Sequence, residues 1–428
     1  MTEIFIIGAG ASGMIAAIEA SKEALRLDKN VSITILEHNN TYGKKLLATG
    51  NGRCNMTNKH MNISCFRSHD MERLETYLNA SDNGSAEKII SYFAELGMLC
   101  TDKNGYIYPY SYQASTINDI LYDTCIDYGV RMVFDAHVLS VEPQNDSCYT
   151  IKTSEGYIDE EGNRKKNRNE YRADKVILAC GSKAYPTLGA DGSGYKLVSN
   201  LGIRLIDVVP ALTGLKCREK HCKFAAGART NANISLYVDH ELVASDRGEL
   251  QMTEYGVSGI PVFQISRYAS YGLADGCKVH AIIDFMPEYT KENILKIILQ
   301  NINLRIDADI YTVLCGMINN RIANTLLKYC RIDETALCTE VTNEQIECIV
   351  DAIKSYYTVI VDTNDFSQSQ ICAGGVKLSE VDDTFESNKL KGLYIVGELL
   401  DVDGICGGYN LHWAFISGIT AGKYAVKG

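Results

Sequence analysis

Four side chains in this sequence carry the chemistry to donate a proton or polarise a carbonyl beside a bound ring: Arg53, Tyr255, Tyr409 and His412. Guanidinium, phenol and imidazole can each hydrogen-bond an oxygen on which charge develops. All four lie in glycine-rich segments. Such segments let backbone come close to a ligand, so the glycines come next.

Residues 3–7 read as a short buried strand, and Gly8, Gly10 and Gly13 follow as a G-x-G-x-x-G turn before an alanine-rich helix. In that pattern the first glycine makes the turn and the second lets backbone approach a pyrophosphate. The third packs helix on strand. Gly8, Gly10, Ala11, Ser12 and Gly13 are therefore expected to hold the phosphates at the helix N-terminus. A second strand, 31–36, ends in Glu37, whose carboxylate suits ribose hydroxyls. The polar stretch 21–30 explains why Glu37 lies further on than the usual spacing.

Residues 42–58 place glycines among Lys44, Lys45 and Arg53 without hydrophobic periodicity. This predicts a loop that wraps a phosphate or an electron-rich ring with cations and amides. Lys44, Lys45, Gly50, Asn51, Gly52, Arg53, Cys54 and Asn55 are its candidate contacts. A plain surface loop is the alternative. The apolar strand 175–181 ends in small residues, with Ala179 and Gly181 as candidates, and Val138 is a candidate backbone contact to adenine. Near the end, 391–398 reads as a strand running into the turn Gly397-Glu398. Gly404, Gly407 and Gly408 then precede a helix over 409–426. That helix start, with Gly408, Tyr409, Asn410 and Leu411, is expected to aim its amides at a flavin edge.

The elements that position these segments divide the chain. Helical patterns at 85–96 and 115–128, and strands at 131–142 and 149–153, complete a first part over 1–194. The charged run 155–172 reads as a solvated hairpin tip. From about 195 the pattern changes to short alternating strands at 234–238, 248–252 and 278–284, a helical stretch over 291–332, and a strand at 358–361. This predicts an inserted β-barrel-like domain with a small helical subdomain over 195–361, and a return to the first domain over 362–428. The fold class is thus α/β, a Rossmann-type domain interrupted by an insert. Gly189, Gly192 and Gly194 lack the strand–turn–helix order, so no second dinucleotide domain is expected.

With 53 acidic against 42 basic residues the net charge is −11, which argues against a nucleic-acid or anionic-membrane surface. No apolar run approaches the ~20 residues of a membrane span. The start has no basic leader, and the chain reads as cytoplasmic. Fifteen cysteines include no C-x-x-C pair, so neither an iron–sulfur cluster nor a structural zinc site is suggested. The close pair Cys217 and Cys222 reads as reduced thiols.

Six segments together resemble a family of bacterial FAD-dependent oxidoreductases, which includes aminoacetone oxidases and bile-acid enone reductases. They begin at Gly8, Gly43, Tyr185, Gly248, Ala373 and Gly392 and span essentially the whole chain. The resemblance implies FAD and a flavin-binding Rossmann domain with a β-barrel insert. Departures fall at Thr253-Glu254, where members often have Thr-His, and at His412, where Asn-Leu-Gln is common. Substrate identity does not carry over.

The leading expectation is reduction of an activated C=C bond in a small enone, with NADH or NADPH binding transiently over the flavin. Arg53, Tyr255, Tyr409 and His412 would supply the polarising donor and the proton. A flavin amine oxidase using oxygen is the alternative, followed by an RNA-modifying or regulatory flavoprotein. Each of the four also has a plain structural reading: core tyrosines, a packed histidine, or an arginine that only holds FAD.

Overall fold

The computed structural model describes residues 1–144, 148–158 and 163–428. The chain forms two compact units, 1–208 with 371–428, and 209–370. Residues 195–208 thus go with the first unit and 362–370 with the second, a shift from the sequence-based limits at both ends. The reason at the first limit is burial. Tyr195, Leu197, Val198 and Ile203 all pack into the core of the first unit.

That unit is built on a five-stranded parallel sheet ordered Leu393–Ile395, Lys175–Leu178, Thr2–Ile7, Val31–Leu36 and Arg131–Val133. Ile4, Phe5, Ile6 and Ile7 are all buried, as a strand covered on both faces requires. The expected strand over 131–142 is in fact two. Asp135 turns the chain at φ 53°, and Ala136–Pro143 enters a separate antiparallel sheet with Tyr149–Ile158 and Arg164–Ala173. The charged run forms the last of these strands, with mostly exposed side chains, while its tip at 159–162 lies outside the described residues.

Helix Ala11–Arg26 rises from the glycine turn, and the C-terminal helix Tyr409–Lys427 lies directly against it. Glycine is what permits this. A Cβ on Gly418 would come within 2.5 Å of the Ser12 carbonyl oxygen, and one on Gly422 within 2.2 Å of that of Ala16. The two ends of the chain therefore meet at one helix pair.

The second unit holds a closed six-stranded barrel ordered Leu215–Cys217, Gly256–Gly259, Glu241–Met252, Arg229–Val238, Val279–Asp284 and Tyr356–Thr363. Ala232, Ile234 and Leu236 alternate inward, the period of two expected of a barrel strand. Helices Lys291–Leu304, Ile310–Cys315, Asn320–Tyr329 and Asn343–Lys354 make the helical part, which extends beyond the expected 332. Among the described residues no helix is long and apolar enough to cross a membrane. All fifteen cysteines are free thiols.

Candidate functional site

The three glycines of the first turn differ in what surrounds them. Gly8 has φ 110°, and a Cβ there would sit 2.5 Å from the Ala179 carbonyl oxygen. A Cβ on Gly13 would meet the Gly8 carbonyl oxygen at 2.0 Å, so helix and strand touch through it. Gly10 has no atom within 4 Å of its Cβ position. Space lies open at the residue expected to face a pyrophosphate. Gly10 is also the N-cap of its helix, with no side-chain cap and no acidic residue in the first turn. The helix start, with Ala11 and Ser12, thus leaves amide donors for an anion.

Glu37 is buried, and its carboxylate organises this turn. Its Oε2 accepts from the Ala9 amide at 2.8 Å, while Oε1 accepts from the Asn39 amide and side chain, each at 2.8 Å. A carboxylate offers about four lone-pair sites, so capacity remains for a ribose hydroxyl. Lys44 donates to Asn39 Oδ1 at 3.0 Å, which places it beside Glu37. Lys45 instead reaches Glu398, with Nζ 2.6 Å from Oε2, and Ser182 Oγ donates to the same oxygen at 3.2 Å.

The loop expected to wrap a ring is strongly turned. Gly50, Asn51, Gly52 and Cys54 all have positive φ. Gly50, Asn51, Gly52 and Arg53 are exposed, and Gly52 and Gly181 are open at their Cβ positions. Asn55 Oδ1 is buried without a hydrogen-bond partner, an acceptor that a bound group can satisfy. Cys54 differs from its neighbours in burial. It is fully buried, and burial pushes its thiol up to about 12. Ala179 is buried and donates its amide to Ile7, closing the sheet beneath the turn.

The last segment is fastened to the first. Gly397 donates its amide to Ser417 Oγ at 3.0 Å and accepts from Trp413 Nε1 at 3.1 Å. A Cβ on Gly397 would lie 2.8 Å from Ser12 Oγ. Asn410 clamps the Gly404 peptide from both sides, at 2.8 and 2.9 Å. Leu411 packs against the core. Gly408 was expected to admit a ligand to the helix start. Instead, a Cβ there would meet Asn55 Oδ1 at 2.8 Å and the Thr57 amide nitrogen at 2.9 Å, so close chain packing demands the glycine.

Two of the four expected proton donors are core residues. His412 is fully buried, with Nδ1 2.8 Å from Thr57 Oγ1 and Nε2 2.6 Å from the Asn83 carbonyl oxygen. A carbonyl only accepts, so Nε2 carries the hydrogen and Nδ1 accepts from Thr57. Burial drives its pKa down to about 4, so the ring is neutral and both nitrogens are committed. Tyr409 is 4% exposed and packs edge-on to Phe66 at 5.8 Å. Burial and a hydrogen bond to Cys65 hold its phenol well above the ordinary value. Neither presents a donor to a substrate in this geometry. Arg53 is exposed in the first unit, and Tyr255 is exposed at a turn of the second.

Val138 is buried beside a register shift and lines a cavity of about 260 Å³ with His137, Asp191 and Lys196. Desolvation disfavours the Asp191 carboxylate. Hydrogen bonding from Ser193, with His38 and His137 nearby, nonetheless holds its pKa below the usual value. Nothing in the spacing of these residues marks them as neighbours. The exposed tyrosines 106, 110 and 112 beyond the loop were likewise not singled out from sequence.

The open positions at Gly10, Gly52 and Gly181, the uncapped helix start and the unpartnered Asn55 fit an extended dinucleotide such as FAD. Comparisons with known proteins agree. The model of the HI0933-like protein Rossmann domain matches residues 2–424. A 3-dehydro-bile acid delta(4,6)-reductase of Clostridium scindens is 39% identical over 428 residues, all of both chains. A ribosomal RNA dihydrouridine synthase of Haemophilus influenzae is 26% identical over 97% of this chain and 96% of its own. Among solved structures, a 3-ketosteroid-delta4-(5alpha)-dehydrogenase from Rhodococcus jostii shares the fold. Its TM-score is 0.50 at 15% identity, over 100% of this chain and 97% of that one. The chain belongs to the HI0933-like family of FAD-dependent Rossmann proteins and is a flavin oxidoreductase.

Proposed function

We propose that this protein reduces a C=C bond conjugated to a carbonyl in a polycyclic, steroid-type ketone, using NADH or NADPH as the hydride source. The observation that carries the reading is the 39% identity, end to end, with a bile-acid reductase. A second relative, a ribosomal RNA dihydrouridine synthase, is named for a dihydro product, one reduced at a double bond. The two names share a reaction class although their substrates differ.

Bound FAD would supply the two-electron chemistry, accepting hydride from the nicotinamide and passing it to the enone. Gly8, Gly10, Ala11, Ser12 and Gly13 would seat its pyrophosphate, Glu37 its ribose, and Val138 its adenine. The loop through Gly50, Asn51, Gly52 and Asn55 would border its ring, with Ala179, Gly181, Gly397 and Glu398 behind. Lys45 stays paired with Glu398 and sets the turn that both belong to. Arg53 remains as the accessible donor of the first unit and would polarise the carbonyl oxygen. The partner is a small molecule.

The test is anaerobic. Bound flavin is reduced with NADH or NADPH and then mixed with a 3-keto-4-ene bile acid or with oxygen, while oxidised flavin is separately mixed with an aminoketone and then with oxygen. Rapid reoxidation by the enone, with the saturated ketone as product, is expected. Flavin reduction by the aminoketone and rapid turnover with oxygen would replace this reading with an amine oxidase.

A further inference from the structure

We propose that His38, His137 and Asp191 bind one divalent transition-metal ion of the zinc type. One ligand atom from each of the three lies within 4.8 Å of the others. Bonds from such a metal to imidazole nitrogen or carboxylate oxygen are about 2.0–2.2 Å, which puts tetrahedral ligand atoms roughly 3.4 Å apart. The observed set therefore needs to draw in by about 1.4 Å at most. Asp191 is exposed and has the freedom to make that movement.

The backbone around the three is fixed. His38 follows Glu37, whose carboxylate is tied to Ala9 and Asn39. His137 sits in a strand opposite Ser154. Asp191 is held in place by the Ser193 amide, which donates to one of its oxygens at 2.9 Å. The two imidazole ring centroids are 6.2 Å apart and inclined at 63°, an edge-on arrangement rather than a stack. Two imidazoles and a carboxylate make a donor set suited to zinc and its neighbours rather than to magnesium or calcium. His137 and Asp191 line one cavity of about 260 Å³ together with Val138. Lys196 lines the same cavity and opposes a cation, but it is exposed and its long stem lets the ammonium turn to solvent.

Both histidines adjoin the residues proposed for the adenosine, Glu37 before one and Val138 after the other. The metal would thus tie the ends of two strands together beside the cofactor rather than take part in the redox step. The site does not depend on the identity of the substrate.

The experiment uses FAD-loaded protein stripped of metal with a chelator and titrated calorimetrically with zinc chloride at pH 7.5. One equivalent per chain is expected. Affinity should fall at least tenfold in His137→Ala and in the near-isosteric Asp191→Asn, and stay unchanged in His240→Ala, an exposed histidine of the second unit. Equal affinity in all four proteins would overturn the site. So would the absence of stoichiometric binding to the wild type, or binding to FAD-free protein that adding FAD abolishes.

Discussion

Lys45 Nζ lies 2.6 Å from Glu398 Oε2, joining residues 353 positions apart in the sequence. The pair links the short helix Lys44–Ala48, where the sequence predicted a loop, to the turn after Leu393–Ile395, and both side chains are about one-fifth to one-quarter exposed. Ser182, from the end of a third strand, donates to the same carboxylate oxygen. Three segments with no local reason to meet are thereby held at one point.

A pair so placed should couple measurably. Partial burial limits screening but adds a desolvation penalty, so the net interaction is expected near 1 kcal/mol. In a denaturation cycle with Lys45→Met, Glu398→Gln and the double variant, the two substitutions should be non-additive by about that amount. Additivity within error would mean that the contact is incidental to the turn.

The Rossmann part was legible because its signals are local. Residues 4–7 run apolar into Gly8, and only glycine suits the sites at Gly8 and Gly13. The barrel was legible from alternation such as Ala232, Ile234 and Leu236. What could not be read was which polar residues the fold would bury. Tyr409 and His412 carry reactive groups beside a glycine turn, a pattern that reads equally as catalytic or packed. Thr57 and Asn83, which use up both His412 nitrogens, are more than 300 residues away. The grouping of His38, His137 and Asp191 was hidden for the same reason.

Glu37 supports the glycine turn as well as any ribose. Glu37→Gln should keep one acceptor oxygen and place an amide where the other hydrogen bond is needed. Loss of a charged hydrogen bond gives roughly 1–3 kcal/mol weaker FAD binding. Glu37→Ala should be worse, since the Ala9 and Asn39 amides would also lose their acceptor. Fluorescence titration of FAD into the stripped variants measures this. Equal affinity in wild type and Glu37→Ala would remove Glu37 from the cofactor site.

Gly10 and Gly408 should respond differently to a methyl group. Gly10→Ala meets no protein atom, so the apoprotein should melt normally while FAD affinity falls. Gly408→Ala forces a side chain into a left-handed position already 2.8 Å from Asn55 and 2.9 Å from Thr57. It should destabilise the apoprotein itself, by roughly 1–3 kcal/mol of combined strain and crowding. Thermal melts with and without FAD separate the two. A destabilised Gly10→Ala apoprotein would show that this glycine serves the fold rather than the ligand.

His412 should leave a signature in the pH dependence of stability. Burial lowers its pKa to about 4, against 6.5 for the free side chain. Between these values the unfolded chain binds the proton and the folded chain does not, so stability rises with pH. The contribution is fully present above about pH 6.5 and is lost progressively as pH falls toward 4. The full difference corresponds to roughly 3 kcal/mol. Below pH 4 this residue adds no further loss. His412→Gln isolates the effect, because an amide can donate to the Asn83 carbonyl and accept from the Thr57 hydroxyl without titrating. Urea denaturation from pH 4 to 8 should show a shallower slope for His412→Gln, with stability near wild type at pH 8. Flavin reduction by NADH and turnover at pH 7 should be little changed, since no proton passes through a ring whose nitrogens are both engaged. Identical stability slopes in the two proteins, or a collapse of turnover in a stably folded His412→Gln, would return His412 to the reacting groups.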